Sequence, residues 1–455
     1  MILKPRIALL VLFFGLHLLL ATLLGRFFSL APDEFGYLQT FSNLYSQTLV
    51  NPQSSSGWIM APTSFLWIAY MPAKLMTLVG MPDFLAIRVL SAMLTTAAIA
   101  LIISLHPNSK IKQKNQVINT FLIFSIPSVF LWSTLGMREP FLFFEVSLIL
   151  VGYSKFNERH QNRYLFPIFL GAYGMICTKN YLWACFSISL LITILAIFFF
   201  NKNFSGALRV IIVAVLLPLA VFSATTSGYA LDFLFNSSIQ SAGERSGDSI
   251  SEIEIPKNSS TNSGAPSKIT FHGDFSLVEL NRFFKDNPNS NITKISEFTG
   301  FAKYITNRFI RQSKIALEDS NATVVVDNSS LNSYVIQNAS LTNPISFLVP
   351  TFLFLMGPIP FVGQPSFAIQ FASLESPLWW LLYFYFIKQL WKSRNLNVFR
   401  DSGILLAAVF VIGVIAFSAI VEVNLGTSFR HRSLLVVPLA FALFKLQNKE
   451  LTNKE

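Results

Sequence analysis

Apolar residues occur along this chain in long blocks, separated by short polar segments. The clearest blocks lie at 7–25, 84–105, 117–135, 140–153, 164–177, 181–200, 208–224, 378–390, 404–421 and 434–444. Several reach about 18 residues or more, enough to cross a hydrocarbon layer of about 30 Å as a helix. The shorter ones read as broken helices packed inside a bundle. The pattern predicts an all-α polytopic membrane protein with about ten transmembrane helices. Two further apolar stretches do not fit as simple crossings. Residues 65–80 contain Pro72 and Lys74, and residues 346–363 contain Pro350, Pro358 and Pro360. Counting either as a full crossing inverts everything after it, so both are placed at the outer membrane face as interfacial or re-entrant helices.

One long segment breaks the pattern. Residues 241–268 are rich in Ser, Asn, Gly and Pro and read as loosely held or disordered. Phe301, Tyr304, Ile305, Phe309 and Ile310 follow at helical spacing, and 322–326 reads as a short strand. The organisation expected is an N-terminal transmembrane bundle at 1–226 with a first outer loop at 26–83. A large extracytoplasmic loop at 227–344 follows, partly disordered and partly helical. A C-terminal bundle at 345–455 carries the second interfacial segment.

Composition agrees with a membrane chain: 53% of residues are hydrophobic and 13% charged, where soluble domains hold about one-quarter charged residues. The net charge of +11 does not point to nucleic acid, because the basic residues are scattered between apolar blocks instead of forming one patch. They follow an alternation instead. With the N-terminus in the cytoplasm, each segment expected on that side is basic: Lys4 and Arg6; Lys110, Lys112 and Lys114; Lys155, Arg159 and Arg163; Lys202 and Arg209; Lys388, Lys392, Arg394 and Arg400; Lys445 and Lys449. Residues 227–344, on the opposite side, have a net charge of −2. This predicts a multi-pass protein of the bacterial inner membrane with both termini cytoplasmic. The first apolar block reads as an uncleaved span and not as a signal peptide. Cys177 and Cys185 lie in or beside apolar blocks and read as small core residues.

Charges at the outer ends of the spans run against this trend and are costly near hydrocarbon, so they are candidates for a functional site. Asp33 and Glu34 follow the first span, with Tyr37 close behind. They read either as a solvated loop start capping a short helix or as a carboxylate that takes a proton from an acceptor hydroxyl. Arg138 and Glu139 lie in a tight turn between two spans. They read equally as a pair closing the hairpin or as a phosphate contact. Lys179 reads as a snorkelling lysine or as a contact to a lipid phosphate. Arg430, His431 and Arg432 precede the last span. Two arginines there suit bidentate binding of phosphate or pyrophosphate, and His431 reads as a hydrogen-bond donor. Glu145, the one acidic residue well inside a span, is expected towards the cytoplasmic half.

The stretch "APDEFGYLQ" resembles the first-loop motif of the GT-C superfamily of integral-membrane glycosyltransferases, such as protein O-mannosyltransferases and lipid A aminoarabinose transferases. Downstream, Pro62, Gly80 and Arg88 are similar to that family's Pro-led interfacial helix, its glycine and the arginine opening its second span. The resemblance covers about the first hundred residues. It implies a catalytic role for Asp33, shared with Glu34. The chain departs from the family in placing its largest outer loop internally, whereas the family carries a soluble domain at the C-terminus. "FRHR" and "SPLWW" look more like parts of polysaccharide-biosynthesis membrane proteins.

The expected function is transfer of a sugar from a polyprenyl-phosphate carrier to a glycan, lipid or protein acceptor on the outer face. The catalytic candidates are Asp33 and Glu34. Tyr37, Arg88, Arg138, Glu139, Lys179, Arg430, His431 and Arg432 are the substrate-binding candidates. Partners are the lipid-linked donor, the acceptor and membrane lipids, with no nucleic acid. No nucleotide-binding glycine loop is evident. No cofactor is expected and no metal ligands are assigned, although a divalent metal at Asp33 and Glu34 stays open. The alternatives are a Wzy-like polymerase or an O-antigen ligase-like enzyme acting on polyprenyl-pyrophosphate glycans, and a flippase of lipid-linked sugars.

Overall fold

A computed structural model describes residues 5–25, 34, 37, 38, 41, 60–105, 113–201, 204–225, 348–360, 372–393, 401–421 and 425–452. Asp33, Glu422 and the whole of 227–344 lie outside the described residues.

Every regular element among the described residues is helical. In chain order they are α1 (Pro5–Leu23), α2 (Met60–Leu78), α3 (Asp83–Ile103), α4 (Gln113–Phe124), α5 (Pro127–Thr134), α6 (Glu139–Arg159), α7 (Leu165–Thr178) and α8 (Asn180–Asn201). There follow α9 (Phe204–Ile211), a π turn (Ile212–Leu216), α10 (Leu217–Thr225), α11 (Leu348–Met356), α12 (Ser376–Lys392), α13 (Ser402–Val421), α14 (Leu425–Arg432) and α15 (Val436–Thr452). Each apolar block of the sequence is therefore helical. The chain is a helical membrane protein: α1, α3, α8 and α13 are long and apolar enough to cross a membrane. The α4–α5 pair makes a fifth candidate if its two halves form one span. Blocks such as 140–153 and 434–444 form helices of mixed polarity, so the sequence count of about ten crossings is wider than length and composition alone support.

The block at 117–135, expected as one run, is two helices bent by 70°. The bend falls just before Pro127, at the first turn of α5, where a proline suits a helix start and cannot continue the helix before it. The segment 424–433, expected as a turn, contains α14. The stretch at 65–80 lies largely within α2, which runs on through Pro72. Gly80, at φ 89°, ends it: Met81 N–H donates to Met76 O and Gly80 N–H to Thr77 O. This Schellman pattern needs a residue in the left-handed region, and it turns the chain directly into α3.

The core runs through the middle of the bundle, where α6 packs on α3 and α7, and α13 on α8 and α15. The α6–α7 seam is tight. A methyl group at Gly171 would lie 2.5 Å from the Glu145 carbonyl oxygen, so only glycine permits this approach. Across the seam Thr178 Oγ1 donates to Glu145 Oε1 at 2.7 Å. Glu145 thus sits beside the C-terminal end of α7, next to Lys179, and not in the opposite half where the sequence reading put it.

Candidate functional site

The helices bring the outer-face candidates to one end of the bundle. The end of α1 meets the start of α3 through Arg88, whose Nη1 donates to the Ala21 and Gly25 carbonyls at 2.8 and 2.6 Å. Arg88 also holds Glu34 in a bidentate pair: Nε to Oε1 and Nη2 to Oε2, both at 2.8 Å. Both side chains are essentially shielded from solvent. Glu34, Tyr37, Leu38 and Phe41 are each helical and buried. Their spacing of three and four residues gives one buried face, and Tyr37 packs edge-on against Phe65 of α2.

The turn 135–138, with Glu139 after it, ties this cluster to the other end of the sequence. Gly136 N–H donates to Glu34 Oε1 at 2.6 Å. The Arg138 guanidinium lies over the Tyr37 ring at 5.6 Å. Glu139, the first residue of α6, pairs with Arg430 of α14 at 2.7 and 3.1 Å. Burial pushes the Glu139 carboxyl up, but Arg430, with Lys179 and Arg138, more than offsets this, and it titrates at about 2. Glu139 therefore pairs across the bundle and does not close its own hairpin with Arg138.

Next along α14, His431 meets Lys179 at 2.7 Å between Nε2 and Nζ. An ammonium group has no acceptor, so His431 Nε2 accepts here, which leaves Nδ1–H as the donor of the ring. Arg432 points elsewhere. Its Nη1 donates to the carbonyls of Leu355 and Gly357 at 3.1 and 2.6 Å. Its guanidinium lies 5.0 Å from the Trp379 ring and 5.2 Å from that of Phe429.

The structure thus joins Arg88, Glu34, Tyr37, Arg138, Glu139, Arg430, His431 and Lys179 in one network, and sets Arg432 beside it in a second cluster. Asp33 lies outside the described residues, next to Glu34. The second cluster contains a residue that sequence reasoning missed. Glu375, just before α12, accepts from Ser128 N–H and Oγ at the start of α5 and from Trp379 Nε1 at 2.6 Å. Its carboxylate caps the first turn of α5, where negative charge is favoured. The rule that marked Asp33 and Arg138, a charge at the outer end of a span, applies equally to Glu375 before "SPLWW". Among the described residues no group of three His, Cys, Asp or Glu side chains is arranged to hold a metal ion.

Comparison with protein-family models, with curated proteins and with solved structures finds no match to this chain.

Proposed function

We propose that this chain is a membrane glycosyltransferase. It moves a sugar from a polyprenyl-phosphate carrier to a glycan, lipid or protein acceptor at the Arg88–Arg430 end of the bundle, taken as the outer face. One observation carries the reading: the turn before α6 links Glu34, from the first loop, to Arg430, from the last. Gly136 holds Glu34, Arg138 faces Tyr37 and Glu139 holds Arg430. Carboxylates and cations needed for one reaction are thereby gathered from opposite ends of the sequence. Dense basic segments at the other end agree with a cytoplasmic placement there.

In this reading Asp33 is the general base. Glu34 is a positioning residue, because Arg88 and Gly136 engage both of its oxygens. The acceptor hydroxyl gives its proton to Asp33, and its oxygen bonds to the anomeric carbon of the sugar. The bond from that carbon to the phosphate oxygen breaks, and the electron pair leaves with the polyprenyl phosphate. Cations at this end stabilise the charge gathering on that phosphate. The Lys179–His431 contact keeps the ammonium oriented at the site.

The test uses the full chain in lipid nanodiscs with a panel of radiolabelled polyprenyl-phosphate sugars and membrane-extract acceptors. Asp33→Asn is expected to lower transfer by about 100-fold or more, as loss of a general base does. Full activity in that variant counts against the reading. Loss of activity only on replacing Arg430 or Arg432 favours a polymerase or ligase acting on pyrophosphate-linked glycans. Movement of a lipid-linked sugar across the bilayer without covalent transfer favours a flippase.

A further inference from the structure

Among the described residues three arginines, Arg88, Arg430 and Arg432, are buried at this end of the bundle, and each guanidinium has an edge on which Nε–H and Nη2–H lie side by side. Such a fork matches two oxygens of one carboxylate or phosphate. In Arg88 the fork holds Glu34, and in Arg430 it holds Glu139. Arg432 is 0% exposed, and only its Nη1 is used, by two main-chain carbonyls. Among the described residues neither Nε nor Nη2 meets an acceptor. Buried donors on a charged group are costly to leave unmatched, and a fork of this shape suits an oxyanion.

The surroundings narrow its identity. Glu375 is near enough to Arg432 to interact electrostatically, but its oxygens are committed to Ser128 and Trp379. Tyr383 lies one turn beyond Trp379 on α12 and is also within electrostatic reach of Arg432. Its hydroxyl is buried and has no hydrogen-bond partner among the described residues. The fork is walled by the Trp379 and Phe429 rings, apolar surfaces suited to hydrocarbon beside an anionic head. The outward side of α12 is apolar and open: Leu381 and Phe384 are 63% and 67% exposed. An anion reaching this fork from the bilayer would carry a hydrocarbon tail past that face.

We propose that the Nε–Nη2 edge of Arg432 and the hydroxyl of Tyr383 together bind the phosphate of a polyprenyl phosphate, with its isoprenoid chain leaving along α12. This rests on the donor class of the proposed function. It assigns the lipid phosphate to Arg432, leaving Arg430 to its pair with Glu139.

The experiment measures binding to the purified full chain in micelles by native mass spectrometry and thermal shift. The probes are undecaprenyl phosphate, undecaprenol, phosphatidylglycerol and inorganic phosphate. Wild type is expected to prefer undecaprenyl phosphate to undecaprenol. Arg432→Gln is expected to weaken that binding by about tenfold or more, the effect of losing a charge-assisted fork. Tyr383→Phe, which keeps the ring and so the packing, is expected to weaken it a few-fold. Equal binding of undecaprenyl phosphate by wild type and both variants overturns the proposal. Binding that depends on Arg432 but is shown only by phosphatidylglycerol, or only by inorganic phosphate, overturns it too. Because the readout is binding, Arg432-dependent binding without sugar transfer would sink the transferase reading and leave this site standing.

Discussion

At one end of the bundle Lys445 Nζ lies 3.1 Å from both Glu158 and Asp401, and Glu158 keeps 53% of its side chain open. At the other end Arg88 meets Glu34 at 2.8 Å, with 0% and 2% of the two side chains open. Both are cross-helix ion pairs, yet they are different physical objects. The Lys445 cluster is a clamp. Lys445 of α15 also donates to Ser154 of α6 at 2.8 Å, and Asp401 accepts from the first amides of α13, so three helices are tied, with water still at hand on the Glu158 side. The Arg88–Glu34 pair has given up its water, and the Arg430–Glu139 pair, 11% and 1% open, lies between the two in exposure. Desolvating both partners costs several kcal/mol per ion, and a bundle that needed only clamping has cheaper apolar means. A bundle end that holds such pairs in fixed orientation is suited to a site where charge must stay put during a reaction.

The largest expected effect comes from breaking the deepest pair. Glu34→Gln leaves the Arg88 charge buried with half a fork, and is expected to destabilise the protein by about 3–5 kcal/mol. Equilibrium unfolding in mixed micelles measures this. Glu34→Gln combined with Arg88→Met removes both charges and should recover much of that loss. If the double variant is no better than the single one, burial of the pair is not what distinguishes this end.

Glu139→Gln comes next, at about 2–3 kcal/mol, because Arg430 keeps 11% of its side chain open and regains some water. Here pH gives an independent reading. The Glu139 carboxyl titrates at about 2 in the folded protein, against an ordinary value of 4.5. A carboxyl whose folded value is depressed contributes fully above its unfolded value. Its contribution is therefore complete above 4.5 and is lost as pH falls from there towards 2. The wild type should show this extra acid loss of stability, and Glu139→Gln should lack it.

The sequence revealed these ends unequally, for reasons visible in particular residues. Block periodicity found the helices, because burial in lipid or core demands continuous apolar runs. The rule about charges at the ends of apolar blocks found Glu34, Arg138, Glu139, Lys179 and Arg430, and the helices bring all of them to one end of the bundle. The partners stayed hidden. Nothing local says that Glu139 meets Arg430, 291 residues away, and not Arg138 beside it. Nor does adjacency say which of Asp33 and Glu34 turns inwards to Arg88. Arg430, His431 and Arg432 read as one cluster in sequence, but consecutive residues on a helix turn by about 100°. Arg430 and Arg432 therefore face roughly opposite ways, one to Glu139 and one to Trp379, with His431 on Lys179 between them.

The smallest effect decides whether the contrast is real. Glu158→Gln removes one carboxylate from the Lys445 cluster, but Asp401 and Ser154 still hold the ammonium. Glu158 is itself mostly in water, where an ion pair contributes little after screening and side-chain ordering. The expected loss is about 0.5 kcal/mol or less, and about 0.15 M salt should shrink it further, since exposed charges are screened over about 8 Å. The same salt should leave the Glu34→Gln penalty nearly unchanged, because no counterion reaches a pair buried to 0% and 2%. A large, salt-insensitive loss at Glu158 would mean that this end, too, depends on desolvated charge. In that case buried pairing would be a property of the bundle's architecture, and the Arg88–Arg430 end would lose its claim to be the reactive one.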